Sequence, residues 1–209
     1  MTHPSSDIAF TTAVKAAQKQ RGSRAHYEKI EARGGFSTGI SDELAQFLET
    51  VDTAFLATAS AAGQPYAQHR GGPRGFIRVV DAQTLGFADF AGNRQYISTG
   101  NLAENDRAFL ILIDYAQRRR VKLWGRARVV TGDAALIARL TPEGHRARPE
   151  QAILFTVEAW DVNCPQHIPQ KLNAADVAAA LDRLQRRIAE LEAENAGLRR
   201  TIDESQSAQ

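Results

Sequence analysis

The chain has 209 residues, of which 43% are hydrophobic, with a formal net charge of +2 and a single cysteine, Cys164. This composition is too apolar for a disordered protein, and so small a net charge gives no reason to expect a nucleic-acid partner. One cysteine excludes an internal disulfide framework, no apolar run approaches the roughly 20 residues of a membrane span, and residues 1–8 lack the pattern of a signal peptide. We therefore expect a soluble cytoplasmic protein with no membrane partner.

The first 40 residues are mostly polar and are predicted to form an N-terminal helix followed by an arm. The helix is predicted near Thr11–Gln20, whereas the charged, glycine-broken stretch from Tyr27 to Gly39 is predicted to be a loop or surface arm. Two interpretations of the arm stay open. It is either a tail draped over the rest of the domain or an arm that covers a ligand site.

Residues 41–170 form the predicted main domain, which is rich in strands. Ser41 is a suitable helix N-cap, and apolar residues follow it at helical spacing up to Val51. Strands are predicted at 54–59, 64–70, 76–80, 84–88, 108–114 (apolar throughout, hence fully buried), 121–130 and 152–162, and helices at 94–104, with Asn93 as N-cap, and 133–140. Seven strand segments with little β-α-β alternation indicate a small antiparallel barrel of about six strands.

The strand at 121–130 alternates strictly between apolar and basic or aromatic residues. Val121 and Leu123 share one face with Ala127, so this face is predicted to belong to the core. Lys122 and Trp124 share the other face with two arginines. That face is either a solvated outer surface or a surface that closes over a ligand or a second subunit.

The stretch from Gly63 to Asn101 holds the best candidate for a binding site. Two strands with a turn lead through a glycine-bearing loop into the predicted helix at 94–104. A helix start offers unpaired N–H groups and a partial positive charge. Arg94 lies at this start and Arg70 on the preceding strand, and guanidinium groups beside a helix N-terminus suit a phosphate group.

Motifs for catalysis by the protein's own side chains are missing from the sequence. The five histidines are scattered, which argues against a metal site, and there is no H-E-x-x-H, C-x-x-C or G-x-S-x-G motif. Catalytic residues are therefore left unassigned, and any chemistry would belong to a cofactor.

The C-terminal segment, residues 174–204, is predicted to be a coiled coil. Its apolar residues are spaced alternately by three and four, which is a heptad seam with Leu181 at an a position. Asn195 also falls at an a position, where a buried amide pair favours a two-stranded parallel register. The alternative is a single amphipathic helix that lies on the barrel. The seam predicts a homodimer.

Seven short segments together resemble the pyridoxamine 5'-phosphate oxidase-like proteins, over about residues 40–168. They are GQPY at 63–66, LGFAD at 85–89, GNR at 92–94, NLxxN at 101–105, RAFL at 107–110, RRV at 119–121 and GRA at 125–127. The resemblance implies a six-stranded, antiparallel FMN-binding split barrel. It also implies a homodimer in which two FMN molecules lie at the interface and each contacts both subunits.

The resemblance further implies a set of cofactor-binding residues. They are Gln68, His69, Arg70 and Gly71 on one strand, Asp89, Phe90, Asn93, Arg94 and Gln95 after the next hairpin, Arg120, and Trp160, Asn163 and Cys164 near the end of the last strand, which would reach the partner's flavin. Alternatives stay open. Arg74 and Arg78 compete with Arg70 for the phosphate, Arg70 and Arg94 could form ion pairs, His69 could be a surface residue, and Trp160 could be core.

The sequence departs from the oxidase itself at its end. The Trp-x-Gly and Arg-Leu-His-x-Arg type of signature that grips pyridoxal phosphate is replaced by WDVNCPQHI at 160–168 and then the coiled coil. We therefore expect a relative of the oxidase: an oxidoreductase that transfers hydride between FMN and an unidentified small molecule, with NADH or NADPH as a candidate electron donor. The alternatives are a non-catalytic flavin- or haem-binding homodimer that stores or senses its ligand, a deazaflavin protein, and a pure dimerisation adaptor.

Overall fold

The computed structural model describes residues 3–207, which divide into two compact units. The first unit ends at Ile168 and the second begins at Pro169. The helices are a short 3-10 helix (Ser5–Ile8), α1 (Thr12–Gln20), α2 (Arg24–Glu31), α3 (Asp42–Thr50), α4 (Ile97–Glu104), α5 (Ala134–Leu140) and α6 (Ala174–Ser207). Within residues 3–207, no helix combines the length and the apolar character needed to cross a bilayer.

The strands of the first unit form one antiparallel sheet with the order β2-β1-β5-β6-β7-β4-β3. They are β1 (Thr53–Ala59), β2 (Pro65–Gly71), β3 (Arg78–Val79), β4 (Thr84–Phe90), β5 (Arg107–Asp114), β6 (Arg119–Val130) and β7 (Pro149–Asn163). The predicted mostly antiparallel architecture with helices is confirmed. The sheet has seven strands, one for each predicted segment, whereas the predicted split barrel has six. Closure of the sheet into a split barrel stays a prediction.

The core forms where the alternating apolar residues of the strands meet α3. Leu110 and Leu123 are fully buried, as are other inward-facing residues of β5 and β6. Helix α3 begins as predicted, because the Ser41 hydroxyl accepts a hydrogen bond from the Leu44 N–H at 3.3 Å. Burial along β5 alternates, so the prediction of a strand buried on both faces is wrong. One face meets the core and the other is only partly covered.

Three predicted boundaries are wrong, each for a local reason. The arm contains helix α2, in which Arg24 contacts Glu28 and Glu31 on one helical face. Helix α4 begins at Ile97 and not at residue 94, because Arg94 and Tyr96 have φ values of 58° and 53°, outside the right-handed helical region. Asn93 is therefore not the N-cap, and its side chain accepts a hydrogen bond from the Gln95 N–H at 3.3 Å.

The third boundary concerns β3, which spans two residues instead of the predicted 76–80. Phe76 and Ile77 are buried side chains of the core. Only Arg78 and Val79 pair with β4, opposite Gly86 and Leu85. The apolar run that predicts a longer strand therefore reflects burial of two side chains and not sheet pairing.

The N-terminal segment lies over the outer face of β6 and β7. The Phe36 ring stacks on Trp124, with ring centroids 5.2 Å apart and an interplanar angle of 15°. The Ser37 carbonyl accepts a hydrogen bond from the Trp160 N–H at 2.8 Å. This placement corresponds to the interpretation of the arm as a tail draped over the domain. On the face of β6 that carries Lys122 and Trp124, the N-terminal segment covers Trp124.

The second unit contains the predicted C-terminal helix. Helix α6 runs for 34 residues, and the apolar residues of its heptad seam are exposed. Pairing of this helix with another helix stays a prediction.

Candidate functional site

A polar cavity of about 260 Å³ lies where β2, β4, the start of α4 and the start of β7 come together. Strands and helix contribute its rigid walls, and the loop at 91–96 contributes the remainder. Its lining residues are Gln68, Arg70, Asp89, Phe90, Gly92, Asn93, Arg94, Tyr96, Ser98, Thr99 and Glu150. Six of them are residues predicted as cofactor-binding: Gln68, Arg70, Asp89, Phe90, Asn93 and Arg94.

The alternation of β2 decides which of its residues reach this cavity. Gln68 and Arg70 are half-buried on one face of the strand, whereas His69 and Gly71 are exposed on the other. The His69 ring packs edge-on against Phe55, with centroids 5.5 Å apart. His69 and Gly71 therefore lie outside the cavity lining.

Arg70 and Asp89 form an ion pair that joins β2 to β4, and both side chains are largely buried. The side-chain oxygen Oε1 of Gln68 accepts hydrogen bonds from the Arg70 guanidinium at 2.9 Å and from the Ser98 hydroxyl at 3.0 Å. These contacts fix the end of the Arg70 side chain. Arg70 therefore forms the ion pair that the sequence analysis left open, and it also lines the cavity.

Gln151 on β7 completes this network from a third strand. Its Nε2 donates to Asp89 Oδ2 at 2.8 Å and to the Thr99 hydroxyl at 3.0 Å. Sequence reasoning missed Gln151, Ser98 and Thr99. Ser98 and Thr99 were predicted to lie inside the helix at 94–104 and not at its start, and Gln151 was predicted to be neither a site residue nor part of a motif.

The Nε–H of Arg70 is buried and has no hydrogen-bond partner among the described residues. An unsatisfied buried donor costs about 1–3 kcal/mol, and more when the group is charged. Because Arg70 lines the cavity, this orphaned donor fits a ligand acceptor there.

Arg94 is held at the cavity by two neighbours. Its Nε donates to the Tyr96 hydroxyl at 3.1 Å, and that hydroxyl donates to Glu150 Oε2 at 3.3 Å. The hydrogen bond to Tyr96, assisted by the Glu150 carboxylate, raises the pKa of the Arg94 guanidinium. Left-handed backbone at both Arg94 and Tyr96 is costly, and such strain clusters at functional sites.

The first turn of α4 faces the same cavity through Ser98 and Thr99. The N-cap residue, Tyr96, makes no side-chain capping hydrogen bond. The first N–H groups of a helix have no carbonyl partner within it and carry a partial positive charge. They add anion-binding capacity to a lining whose two guanidiniums, Arg70 and Arg94, are balanced by two carboxylates, Asp89 and Glu150.

Other predicted site residues lie outside the cavity lining. Gln95 is exposed, and Arg78 donates to the Arg139 carbonyl at 2.9 Å. Arg120 is half-buried on β6, and its Nε has no partner in the described part of the chain. Trp160 is a core residue whose Nε1 donates to the Gly39 carbonyl at 2.9 Å.

The remaining predicted residues lie near the end of β7 and in the loop before β3. The backbone of Asn163 pairs with Arg120, and its side chain lies outside the described residues. Cys164 is an exposed free thiol. Of the three arginines that compete for a phosphate (Arg70, Arg74 and Arg78), Arg70 belongs to the cavity lining.

A family model described as pyridoxamine 5'-phosphate oxidase matches residues 40–164, which is more than half of the chain. The chain belongs to this family. The match covers the whole sheet, and every residue of the cavity lies within it. No curated protein sequence matches the chain.

Several solved structures are similar to this chain. HupZ of Group A Streptococcus is 18% identical, with a TM-score of 0.49 over 64% of this chain and 99% of the other. A putative pyridoxamine 5'-phosphate oxidase from Lactobacillus delbrueckii is 17% identical, with a TM-score of 0.46 over 60% of this chain and 95% of the other. An FMN-binding protein from Syntrophomonas wolfei is 10% identical, with a TM-score of 0.46 over 70% of this chain and 97% of the other.

Proposed function

We propose that the protein is an FMN-binding oxidoreductase of the pyridoxamine 5'-phosphate oxidase family that transfers hydride between FMN and a small molecule. The observation that carries the proposal is the convergence of Arg70, Arg94 and the first turn of α4 on one polar cavity. Arg70 keeps a buried Nε–H without a partner among the described residues, as expected if a bound group supplies the acceptor.

The lining fits the two polar parts of FMN. Arg94, the Arg70 Nε–H, the hydroxyls of Ser98 and Thr99 and the α4 N–H groups are donors for a phosphate. Asp89 and Glu150 are acceptors for the hydroxyl groups of a ribityl chain. The lining has two guanidiniums and two carboxylates. It therefore suits a ligand that carries both a phosphate and hydroxyl groups better than a phosphate ion alone.

The size of the cavity supports a site shared between two copies of the chain. Pockets for small molecules usually measure about 300–1,000 Å³, and this one measures about 260 Å³. One chain therefore encloses less than a whole FMN requires. We propose that a second copy supplies the rest of the wall, and Arg120, with its unpartnered buried Nε, is a candidate contact on that side.

A bound flavin would supply the redox chemistry, because its ring accepts and releases hydride. The chain's own residues would bind and orient it. Arg70 is held in the wall by Asp89 and Gln68, and the exposed Arg94 is oriented by one hydrogen bond to Tyr96. Because these contacts already restrict the two side chains, less conformational entropy is lost when a ligand binds.

The lining disfavours the haem alternative. Among the described residues of the lining, Tyr96 is of a type that ligates haem iron, and there is no histidine, cysteine or methionine. Phe90 is the single large apolar side chain of this lining, whereas the haem macrocycle needs apolar walls.

A non-catalytic flavin binder stays the second candidate function, because the lining does not identify a specific proton donor or nucleophile for catalysis.

The binding test compares FMN with riboflavin, which lacks the phosphate. Fluorescence titration of ligand-free protein should give a lower Kd for FMN than for riboflavin. Arg94→Gln should raise the Kd for FMN about tenfold or more, as expected for loss of one charge-assisted hydrogen bond, and should leave riboflavin nearly unchanged. Arg128→Gln, an exposed arginine of β6, is the matched control. Equal Kd values for the two flavins would contradict the phosphate assignment.

The activity test follows the bound flavin by absorbance under anaerobic conditions. Bleaching by NADH or NADPH, with recovery on addition of a small-molecule acceptor, would support an oxidoreductase. Bound flavin that no donor reduces and no acceptor reoxidises would favour the non-catalytic binder. Mass spectrometry of the co-purified small molecule separates FMN from a deazaflavin.

A further inference from the structure

Helix α6 carries an apolar seam that the described residues leave uncovered. Its members are Val177, Leu181, Leu184, Ile188, Leu191, Leu198 and Ile202, whose exposed fractions lie between 38% and 60%. They recur at a and d positions over more than three heptads. We propose that this seam pairs with the same helix of a second copy of the chain in a parallel, in-register, two-stranded coiled coil.

The choice of residues favours two strands. From Leu184 onward the d positions hold Leu184, Leu191 and Leu198, and Ile188 and Ile202 hold a positions, whereas Val177 at d and Leu181 at a depart from this pattern. Isoleucine or valine, which are β-branched, at a with leucine at d favours parallel dimers over trimers and tetramers. A helix of 34 residues is also long enough to complete four heptads.

Asn195 identifies the partner as an identical helix in the same direction. It interrupts the seam at an a position and is exposed. In a parallel, in-register pair it lies opposite its own copy, and two amides can bond each other. Antiparallel pairing sets a against d, and at the longest overlap the Asn195 amide would face Leu184 with no partner.

Charges beside the seam agree with the same register. In a parallel pair, each g position lies near the e position of the next heptad on the other helix. Arg187 at g would meet Glu192, and Glu194 at g would meet Arg199, so both contacts attract. Within one chain, Arg187 bonds Glu190 at 3.0 Å, with both side chains more than 60% exposed, and this pair is weak enough to exchange.

This pairing does not depend on FMN, so the two proposals can fail separately. A parallel pair has twofold symmetry, as does a dimer of barrels, and one dimer can therefore satisfy both. Once one pair of elements has formed, the other forms at high effective concentration. The coiled coil would thus keep two barrels together at protein concentrations too low for the barrels alone.

Cysteine crosslinking in the full-length chain tests the direction and register of pairing. In a Cys164→Ser background, Leu198→Cys should form a covalent dimer under mild oxidation, because equivalent d positions face each other. Arg200→Cys, at an exposed f position, is the control and should not crosslink. The far-UV circular dichroism of both variants shows that α6 remains helical.

Mixing two differently tagged variants distinguishes parallel from antiparallel pairing of α6. Leu181→Cys with Leu198→Cys should give only like-with-like crosslinks in a parallel pair. A mixed crosslink between positions 181 and 198 would overturn the proposal in favour of an antiparallel pair. No crosslink from a helical Leu198→Cys chain, either alone or mixed with Leu181→Cys, would overturn it in favour of a different partner for the seam.

A charge exchange provides the second test. Arg187→Glu chains and Glu192→Arg chains each place like charges opposite each other when they pair with themselves, but the two attract in a mixed pair. Native mass spectrometry of the mixture should show a heterodimer fraction well above the statistical one half. A statistical mixture would overturn the proposed register.

Discussion

At the scale of single residues, the site is built from interactions between distant parts of the sequence. Arg70 and Asp89 are 19 residues apart, and Gln151 reaches Asp89 from 62 residues away. The pair neutralises part of the charge that Arg70 would offer to a phosphate. The Arg70 Nε–H is one of the guanidinium donors that the pair leaves unused. Because Asp89 offsets the charge of Arg70, Arg94 is the more direct test of phosphate binding.

Gly125, on the central strand β6, provides a second prediction at the scale of single residues. A Cβ added at Gly125 would lie 1.9 Å from the Thr156 carbonyl oxygen, where β6 and β7 shift register. Gly125→Ala should therefore lower the free energy of unfolding by about 2 kcal/mol or more, since strand backbones must separate. Urea denaturation measures the effect.

Gly100 provides the matched control, because a Cβ there meets nothing within 4 Å and the residue lies inside α4. Gly100→Ala should be neutral or stabilise by about 0.5–1 kcal/mol. Equal midpoints for Gly125→Ala and the unmodified chain would show that the β6–β7 bulge tolerates a side chain.

At the scale of elements, the N-terminal segment is held together by ion pairs as well as by Phe36. Lys15 bonds Asp7 at 2.6 Å and contacts Glu31 at 3.2 Å, and Arg24 also pairs with Glu31. These contacts lower the pKa of both carboxyls, that of Asp7 chiefly through its hydrogen bond with Lys15 and that of Glu31 chiefly through its hydrogen bond with Arg24. The cluster joins the 3-10 helix, α1 and α2.

The sign of the pH dependence follows from these lowered pKa values. A carboxyl with a lowered folded-state pKa contributes stability above its ordinary value, 3.8 for Asp7 and 4.5 for Glu31. That contribution is lost as the pH falls below these values. Hydrogen exchange over residues 3–36, corrected for intrinsic rates, should show loss of protection between about pH 4.5 and 3 before the sheet opens.

Glu31→Gln should remove much of this acid transition, because the amide cannot titrate. Glu28→Gln, at a more exposed position on the same helix, should retain it. Unchanged protection of residues 3–36 down to pH 3 in the unmodified chain would mean that aromatic packing on Trp124 holds the segment without the ion pairs.

At the scale of the whole molecule, the proposed dimer uses two different surfaces, the cavity rim and the α6 seam. Charging the seam with Leu184→Asp and Leu191→Asp in the full-length chain should leave the barrels to associate alone. FMN should then shift the equilibrium towards dimers, because a ligand that contacts both copies stabilises the assembled form. Sedimentation velocity with and without FMN measures this shift.

The control for this linkage adds Arg94→Gln to the seam variant, which should weaken the response to FMN. Dimerisation that is the same with and without FMN, in a chain that binds FMN, would place the whole flavin site within one copy. That result would leave the coiled-coil proposal intact, since its crosslinking test does not involve the flavin.

Much of the fold was predictable from local patterns. Apolar runs predict β1 and β7, and alternation of apolar and polar residues predicts β6, each to within a few residues, and Ser41 predicts the start of α3. The heptads predict α6, and the spaced segments between 63 and 127 identify the family. Each of these signals is a repeat or a spacing that a single element satisfies by itself.

Tertiary structure decided the remainder. The family resemblance places Gln68 and His69 together at the cofactor, and pairing of β2 in the sheet turns one towards the cavity and the other outward. The left-handed backbone at Arg94 and Tyr96 delays α4 by three residues, which brings its first turn, with Ser98 and Thr99, to the cavity. The sequence by itself determined the elements and the family. The folded chain decided which side chains share the cavity, because contacts between residues tens of positions apart leave no local pattern.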